Sequence, residues 1–168
     1  MPKEARYPIR RKHSETDMVR DLLTAKNDFQ LGLEIKFCPV KGRCIFATKG
    51  FKKGEYVVEY AGELITKQEA NKRDNAYANS GRGCFLLQFE HQGKVLFLDA
   101  TYESGRLGRL VNHSSRKPNC YIKKVVASGQ PHIFLVAKQD ICAGTELLWN
   151  YGERRKNILK YNTWLSNS

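Results

Sequence analysis

Acidic residues are scarce in this chain: 17 Asp and Glu stand against 29 Lys and Arg, a formal net charge of +12 over 168 residues. Such a surplus favours an acidic partner or a nucleic-acid-rich environment. No apolar run is long enough to cross a bilayer, and the basic N-terminus has no apolar stretch of the signal-peptide kind. The expectation is a soluble intracellular protein with no membrane partner. Cysteine is sparse and scattered, at Cys38, Cys44, Cys84, Cys120 and Cys142, with no pair at zinc-ligand spacing. No metal site is expected, and the five read as reduced thiols that mainly pack. There is no Ser-His-Asp or Cys-His arrangement with convincing context, no internal repeat and no low-complexity tract.

What is present fits one domain, long enough and, at 41% hydrophobic, apolar enough to bury a core. Residues 1–13 are polar and basic, with Pro2 and Pro8, and read as an unfolded arm. Ser14 and Asp17 resemble a capping box, and Met18, Val19, Leu22 and Leu23 follow at helical spacing, which predicts a helix from Glu15 to Lys26. Short strands separated by turns come next. Leu33–Phe37 and Cys44–Thr48 flank Val40-Lys41-Gly42-Arg43, and Tyr56–Tyr60 follows the turn at 52–55. Thr66 and Glu69 suggest a second capping box ahead of a helix over Lys67–Ala78. Cys84–Phe89 and Val95–Asp99 read as a hairpin around His91-Gln92-Gly93-Lys94, and Ile133–Ala137 and Leu147–Tyr151 as further strands. A short helix is expected in the last segment, from Arg154 to Leu165. The pattern is mainly β with few, peripheral helices (α+β) rather than βαβ. It divides into an arm (1–13), a helical flank (14–32), a β domain (33–152) and a C-terminal segment (153–168).

Two segments carry the chemistry: Arg109-Leu110-Val111-Asn112-His113-Ser114 and Glu146-Leu147-Leu148-Trp149-Asn150-Tyr151-Gly152. With Val40-Lys41-Gly42-Arg43, Ala47-Thr48-Lys49, Val57-Val58-Glu59-Tyr60-Ala61-Gly62, Asp99-Ala100-Thr101, Arg106-Leu107-Gly108 and Trp164-Leu165, they occur in an order and spacing that resemble the SET domain over about three quarters of the chain. The resemblance is closest to the branch that methylates lysine 20 of histone H4. No cysteine follows Cys142, which suits a branch that closes its cofactor pocket without zinc.

The resemblance implies a SET-type β-sheet fold with a threaded, knot-like C-terminal segment. It implies methyl transfer from S-adenosylmethionine to a lysine ε-amine. An unperturbed Lys has a pKa of about 10.4, so only about a thousandth is neutral near pH 7. A narrow apolar channel and a nearby sulfonium both push that pKa down, and alignment then replaces any need for a strong base. By resemblance, Tyr151 is the first catalytic candidate, with Tyr60 on the channel wall. Tyr60, Cys84, Trp149 and Tyr151 would line the substrate channel. Lys41, Gly42, Arg43, Phe85, Arg109, Asn112, His113, Tyr151 and Trp164 would hold the cofactor, His113 in a structural role. The implied partners are the histone H4 tail and the nucleosome, with the basic arm free to meet DNA phosphates or an acidic surface. The implied setting is a monomer in nuclear chromatin.

Four positions depart from the branch. Trp149 stands where the branch has the Tyr that favours stopping at one methyl group, Phe85 and Gln88 stand where it is tyrosine-rich, and Cys44 stands where it has glycine. The expected activity is monomethylation of histone H4 lysine 20. The alternatives are a non-histone lysine methyltransferase or a catalytically weak histone-binding relative.

Overall fold

Ser14 begins the order. Its hydroxyl accepts from the Asp17 backbone N–H at 3.1 Å while the Asp17 carboxylate accepts from Ser14 N–H, a capping box that starts α1 (Glu15–Thr24). The computed structural model describes residues 14–81 and 83–152. The basic arm (1–13) and the segment 153–168, with the expected last helix and Trp164, lie outside the described residues. α1 buries Val19 and Leu22 against Tyr56, Phe134 and Val136. At its first turn Glu15 accepts from the Tyr56 hydroxyl and from Lys123 Nζ, so charge and apolar face dock the helix together.

Ten strands follow among the described residues: β1 (Leu33–Cys38), β2 (Gly42–Ala47), β3 (Tyr56–Glu59), β4 (Glu63–Thr66), β5 (Leu86–His91), β6 (Lys94–Asp99), β7 (Asn112–His113), β8 (Cys120–Ala127), β9 (Gln130–Ala137) and β10 (Leu148–Trp149). They form a β1-β2 hairpin, a sheet in the order β4-β6-β5, and a sheet in the order β3-β9-β8-β10-β7. The architecture is mainly β with helices at the periphery, as the pattern implies. Its core runs through Ile45, Val57, Val58, Val111, Leu135, Leu147 and Trp149.

The structure refines several expectations. α1 stops at Thr24, and β2 starts at Gly42, so half of the expected turn is strand. The β5–β6 turn tightens to Gln92-Gly93, both at positive φ, because His91 pairs directly with Lys94. β4 and β7 are short, and the exposed lysines of β8 hide its alternation from the sequence. Leu147–Tyr151 contracts to two strand residues.

α2 (Lys67–Ser80) starts at Thr66, whose hydroxyl accepts from Glu69 N–H, and the Glu69 carboxylate accepts from Arg73 one turn on. Arg73 ties α2 to the β4-β6-β5 sheet by reaching Glu63 at 2.6 Å, Glu69 at 2.9 Å and the buried Asp99 at 3.0 Å. Burial pushes the Asp99 carboxyl up, but hydrogen bonds from Thr101, Tyr77 and Arg73 outweigh it and hold Asp99 below the usual carboxylate range. A carboxyl depressed in the folded state stabilises above its unfolded pKa, about 3.9, and loses that contribution as pH falls through the folded value. Arg73→Met is therefore expected to lower the unfolding free energy by about 2 kcal/mol at neutral pH, the partly exposed guanidinium being worth less than a fully buried partner. In urea titrations the gap between variant and wild type should close as pH falls below about 4.

Candidate active site

The site is built where β10 enters between β7 and β8, parallel to both. Asn119 places it. Its side chain accepts from Leu148 N–H at 2.9 Å and donates to the Glu146 carbonyl at 2.8 Å, while its backbone N–H donates to the Leu148 carbonyl. On the other side, Ser114 N–H donates to the Trp149 carbonyl.

Those bonds fix the direction of the two aromatic side chains that follow. The Val111 carbonyl accepts twice, from Trp149 Nε1 at 3.2 Å and from the Tyr151 hydroxyl at 2.9 Å. His113 Nδ1 accepts from Tyr151 N–H at 2.9 Å, so its ring, 4% exposed, holds backbone in place. An acceptor Nδ1 carries no proton. Trp149, 1% exposed, lies 4.6 Å from the Tyr151 ring and 6.1 Å, edge-on, from that of Tyr60, itself 2% exposed. Tyr60, Trp149, Tyr151 and His113 are thus one aromatic cluster. Gly108 lets it close: a Cβ there would stand 2.2 Å from the Glu59 carbonyl oxygen, so only glycine allows the 106–109 segment to lie against the end of β3.

Buried charges brace the same segment. Asp28, 1% exposed, accepts from Leu107 N–H and from Arg106, and Arg106 also reaches Glu59, whose other oxygen is 2.7 Å from His132 Nδ1.

The β1-β2 hairpin forms a second wall. Asn112 Nδ2 donates to the Arg43 carbonyl at 3.0 Å and to Cys44 Sγ at 3.4 Å. Gly42 has φ +78°, with open space where a side chain would project, so the backbone conformation selects glycine. Lys41 Nζ sits 3.1 Å from both oxygens of Glu146, and Arg43 pairs with Glu103. Glu103 also accepts from Arg109 at 3.0 Å, and the two arginines hold its carboxyl below its ordinary range. Arg109 is buried, donates to the carbonyls of Ala100 and Thr101, and stacks 4.2 Å over Phe85. That geometry is a brace.

Among the residues singled out in the sequence, Lys41, Arg43, Asn112, His113, Trp149 and Tyr151 are linked by these contacts, Tyr60 joins through Trp149, and Arg109 and Phe85 join through Glu103. Cys84 stands apart, packed against α2 with Ile65, Ala70, Tyr77 and Leu86; burial and then Asp74 push its thiol up to about 12. Trp164 lies outside the described residues.

One expectation is corrected. Cys38 and Cys44 are not reduced thiols but a disulfide, while Cys84, Cys120 and Cys142 are free. A separation of six residues matches no local cysteine motif; antiparallel pairing of β1 with β2 brings the two together. Asn119, Glu103 and Glu146 were also not anticipated as site residues. Glu146 opens one of the two key segments and so carried a signal, whereas Asn119 and Glu103 have no local pattern to betray them.

A SET domain model matches residues 42–152, from the hairpin glycine to the glycine after Tyr151. The chain belongs to the SET domain family. It is 41% identical over 172 aligned positions to N-lysine methyltransferase KMT5A-B of Xenopus laevis, covering 96% of this chain and 50% of the relative. It is 42% identical over 136 positions to histone-lysine N-methyltransferase Set8 of Drosophila melanogaster, covering 80% of this chain and 20% of that one. A crystal structure of CpSET8 from Cryptosporidium superposes with a TM-score of 0.69 at 40% identity, over 72% of this chain and 57% of the other. The chain thus spans about half the length, or less, of these curated relatives. The threaded β10 and the Asn112-His113 pair fall inside the matched SET region.

Since the Asn119 side chain holds both Leu148 N–H and the Glu146 carbonyl, Asn119→Ala is expected to cost about 2–4 kcal/mol by leaving partly buried backbone groups without those partners. The near-ultraviolet circular dichroism of Trp149 should weaken in the same variant, and chemical denaturation reads the stability loss.

Proposed function

We propose that this SET-domain chain is an S-adenosylmethionine-dependent protein-lysine methyltransferase that places a single methyl group on lysine 20 of the histone H4 tail in nucleosomes. The observation that carries the reading is the joining of Tyr60, Trp149 and Tyr151 into one buried aromatic cluster beside Asn112 and His113. The curated relatives named above are lysine methyltransferases, at about 40% identity over most of this chain.

The residues fit the cofactor. Lys41 and Arg43 would exchange Glu146 and Glu103 for its carboxylate, the space beyond Gly42 is open, and Phe85 would present the ring face that Arg109 does not cover. When bound, S-adenosylmethionine supplies an electrophilic methyl group on a cationic sulfur. The chain's own part is to make the lysine amine neutral and aim it. Aromatic walls from Tyr60 and Trp149 desolvate an ammonium and favour its neutral form. Tyr151, held at its backbone by His113 and at its hydroxyl by Val111, is oriented before substrate arrives. The indole of Trp149 is buried and locked by Val111; in the proposed channel it would fill the volume that a second methyl group needs. In the proposed domain organisation, residues 33–152 form the SET domain, 14–32 its helical flank, 153–168 closes the cofactor pocket with Trp164, and the basic arm 1–13 meets DNA phosphates or an acidic histone surface. The proposed setting is nuclear chromatin, with the chain acting as a monomer.

The test is methyl transfer from labelled S-adenosylmethionine to nucleosomes, read by mass spectrometry. Monomethylated histone H4 lysine 20 is expected, and Tyr151→Phe should lower kcat about a hundredfold. Product confined to another lysine refutes the substrate, and histone binding without cofactor binding or turnover refutes the activity. Trp149→Phe is expected to add dimethylated product; a wild-type enzyme that already dimethylates would remove the role given to the indole.

A further inference from the structure

The turn that carries Lys41, Gly42 and Arg43 is closed by a bond that lies outside the proposed methyl-transfer chemistry. Cys38 ends β1 and Cys44 lies in β2, and their disulfide encloses Pro39 to Arg43. The two sulfurs differ in access: Cys44 is fully buried, whereas Cys38 is half-buried beside the strongly exposed Phe37 and Val40. Cys44 Sγ also receives the hydrogen bond from Asn112 Nδ2, and both sulfurs lie within 4.8 Å of the Glu146 carboxylate that Lys41 pairs with. The bond is therefore wired to both walls of the site. The remaining cysteines offer no competing pair. Cys84 and Cys120 are buried with thiols pushed up to about 12, and Cys142 is exposed and free.

We propose that Cys38 and Cys44 form a reversible redox site whose state sets the order of the Pro39–Arg43 turn. Resting on the reading of that turn as part of the cofactor pocket, oxidation preorganises the pocket and reduction loosens it. The oxidant class is a peroxide and the reductant class a dithiol. The accessible Cys38 thiolate attacks a peroxide oxygen, the O–O bond breaks, hydroxide leaves and Cys38 becomes a sulfenic acid. The Cys44 thiol then displaces that oxygen as water, forming the S–S bond; two electrons pass from the sulfurs to the peroxide. A dithiol reverses the change by exchange and is itself oxidised to a disulfide. In a compartment that keeps thiols reduced, a disulfide of this kind is a transient regulatory state rather than a staple.

The full chain is treated with hydrogen peroxide or with dithiothreitol, and three readouts follow: alkylation mass spectrometry, amide hydrogen exchange and calorimetric S-adenosylmethionine affinity. Oxidation should protect Cys38 and Cys44 together from alkylation, with a linked peptide lighter by two hydrogens. Exchange across Val40–Arg43 should slow, and S-adenosylmethionine should bind about tenfold more tightly than to the reduced chain. Cys38→Ser should abolish all three differences. Independent alkylation of the two cysteines after peroxide, identical exchange in both states, or a redox dependence that survives Cys38→Ser overturns the proposal. So does tight one-to-one retention of Zn²⁺ by the reduced chain, which would make the pair and Glu146 a metal site. Redox-dependent exchange with no cofactor binding in either state defeats the cofactor reading and leaves the redox site standing.

Discussion

The carbonyl oxygen of Val111 is the point on which the aromatic site turns. It accepts from the Trp149 indole and from the Tyr151 hydroxyl, so one backbone group sets two side chains at once. Val111 is fully buried, immediately before Asn112-His113, and its position depends on the 3₁₀ turn over Gly108–Leu110 that precedes it. That turn in turn lies against Glu59 and Tyr60 because Gly108 has no side chain, and is anchored through Leu107 by Asp28. Local backbone geometry in a stretch of six residues therefore passes directly into the orientation of residues 40 positions away.

Around that point the polar groups are matched in an orderly way. Asparagine serves where backbone must be held, as Asn119 does for β10 and Asn112 for β2. Carboxylates serve where arginines must be fixed, as Glu103 does between Arg43 and Arg109 and Asp28 with Glu59 around Arg106. Of these carboxylates Asp28 and Glu59 are buried, while Glu103 works from the surface.

Much of this was legible beforehand. Both helices show their starts because Ser14 and Thr66 satisfy backbone donors through side-chain oxygens, a signal local to four residues. The β5–β6 hairpin shows because Gln92-Gly93 lies between apolar runs. β4 and β7 were missed because four and two residues are too few for a period, and β8 because its exposed lysines mask the alternation. Asn112, His113 and Tyr151 were visible through a resemblance to a known pattern, not through periodicity. Asn119 and the Cys38–Cys44 bond were not visible, since each is defined by a partner that only the folded sheet brings near.

The threading of β10 has a kinetic consequence. Leu148-Trp149 is an interior strand of the five-stranded sheet, yet it is the last strand of the described chain. While the chain is being synthesised, β7 and β8 can exist but have nothing to hold between them. The sheet closes only when residues near 150 become available, and it does so through contacts with segments about 30 to 40 residues earlier. Until then Val111 and its neighbours are an unpaired apolar stretch open to wrong partners. The aromatic cluster therefore forms only when β10 pairs with β7 and β8.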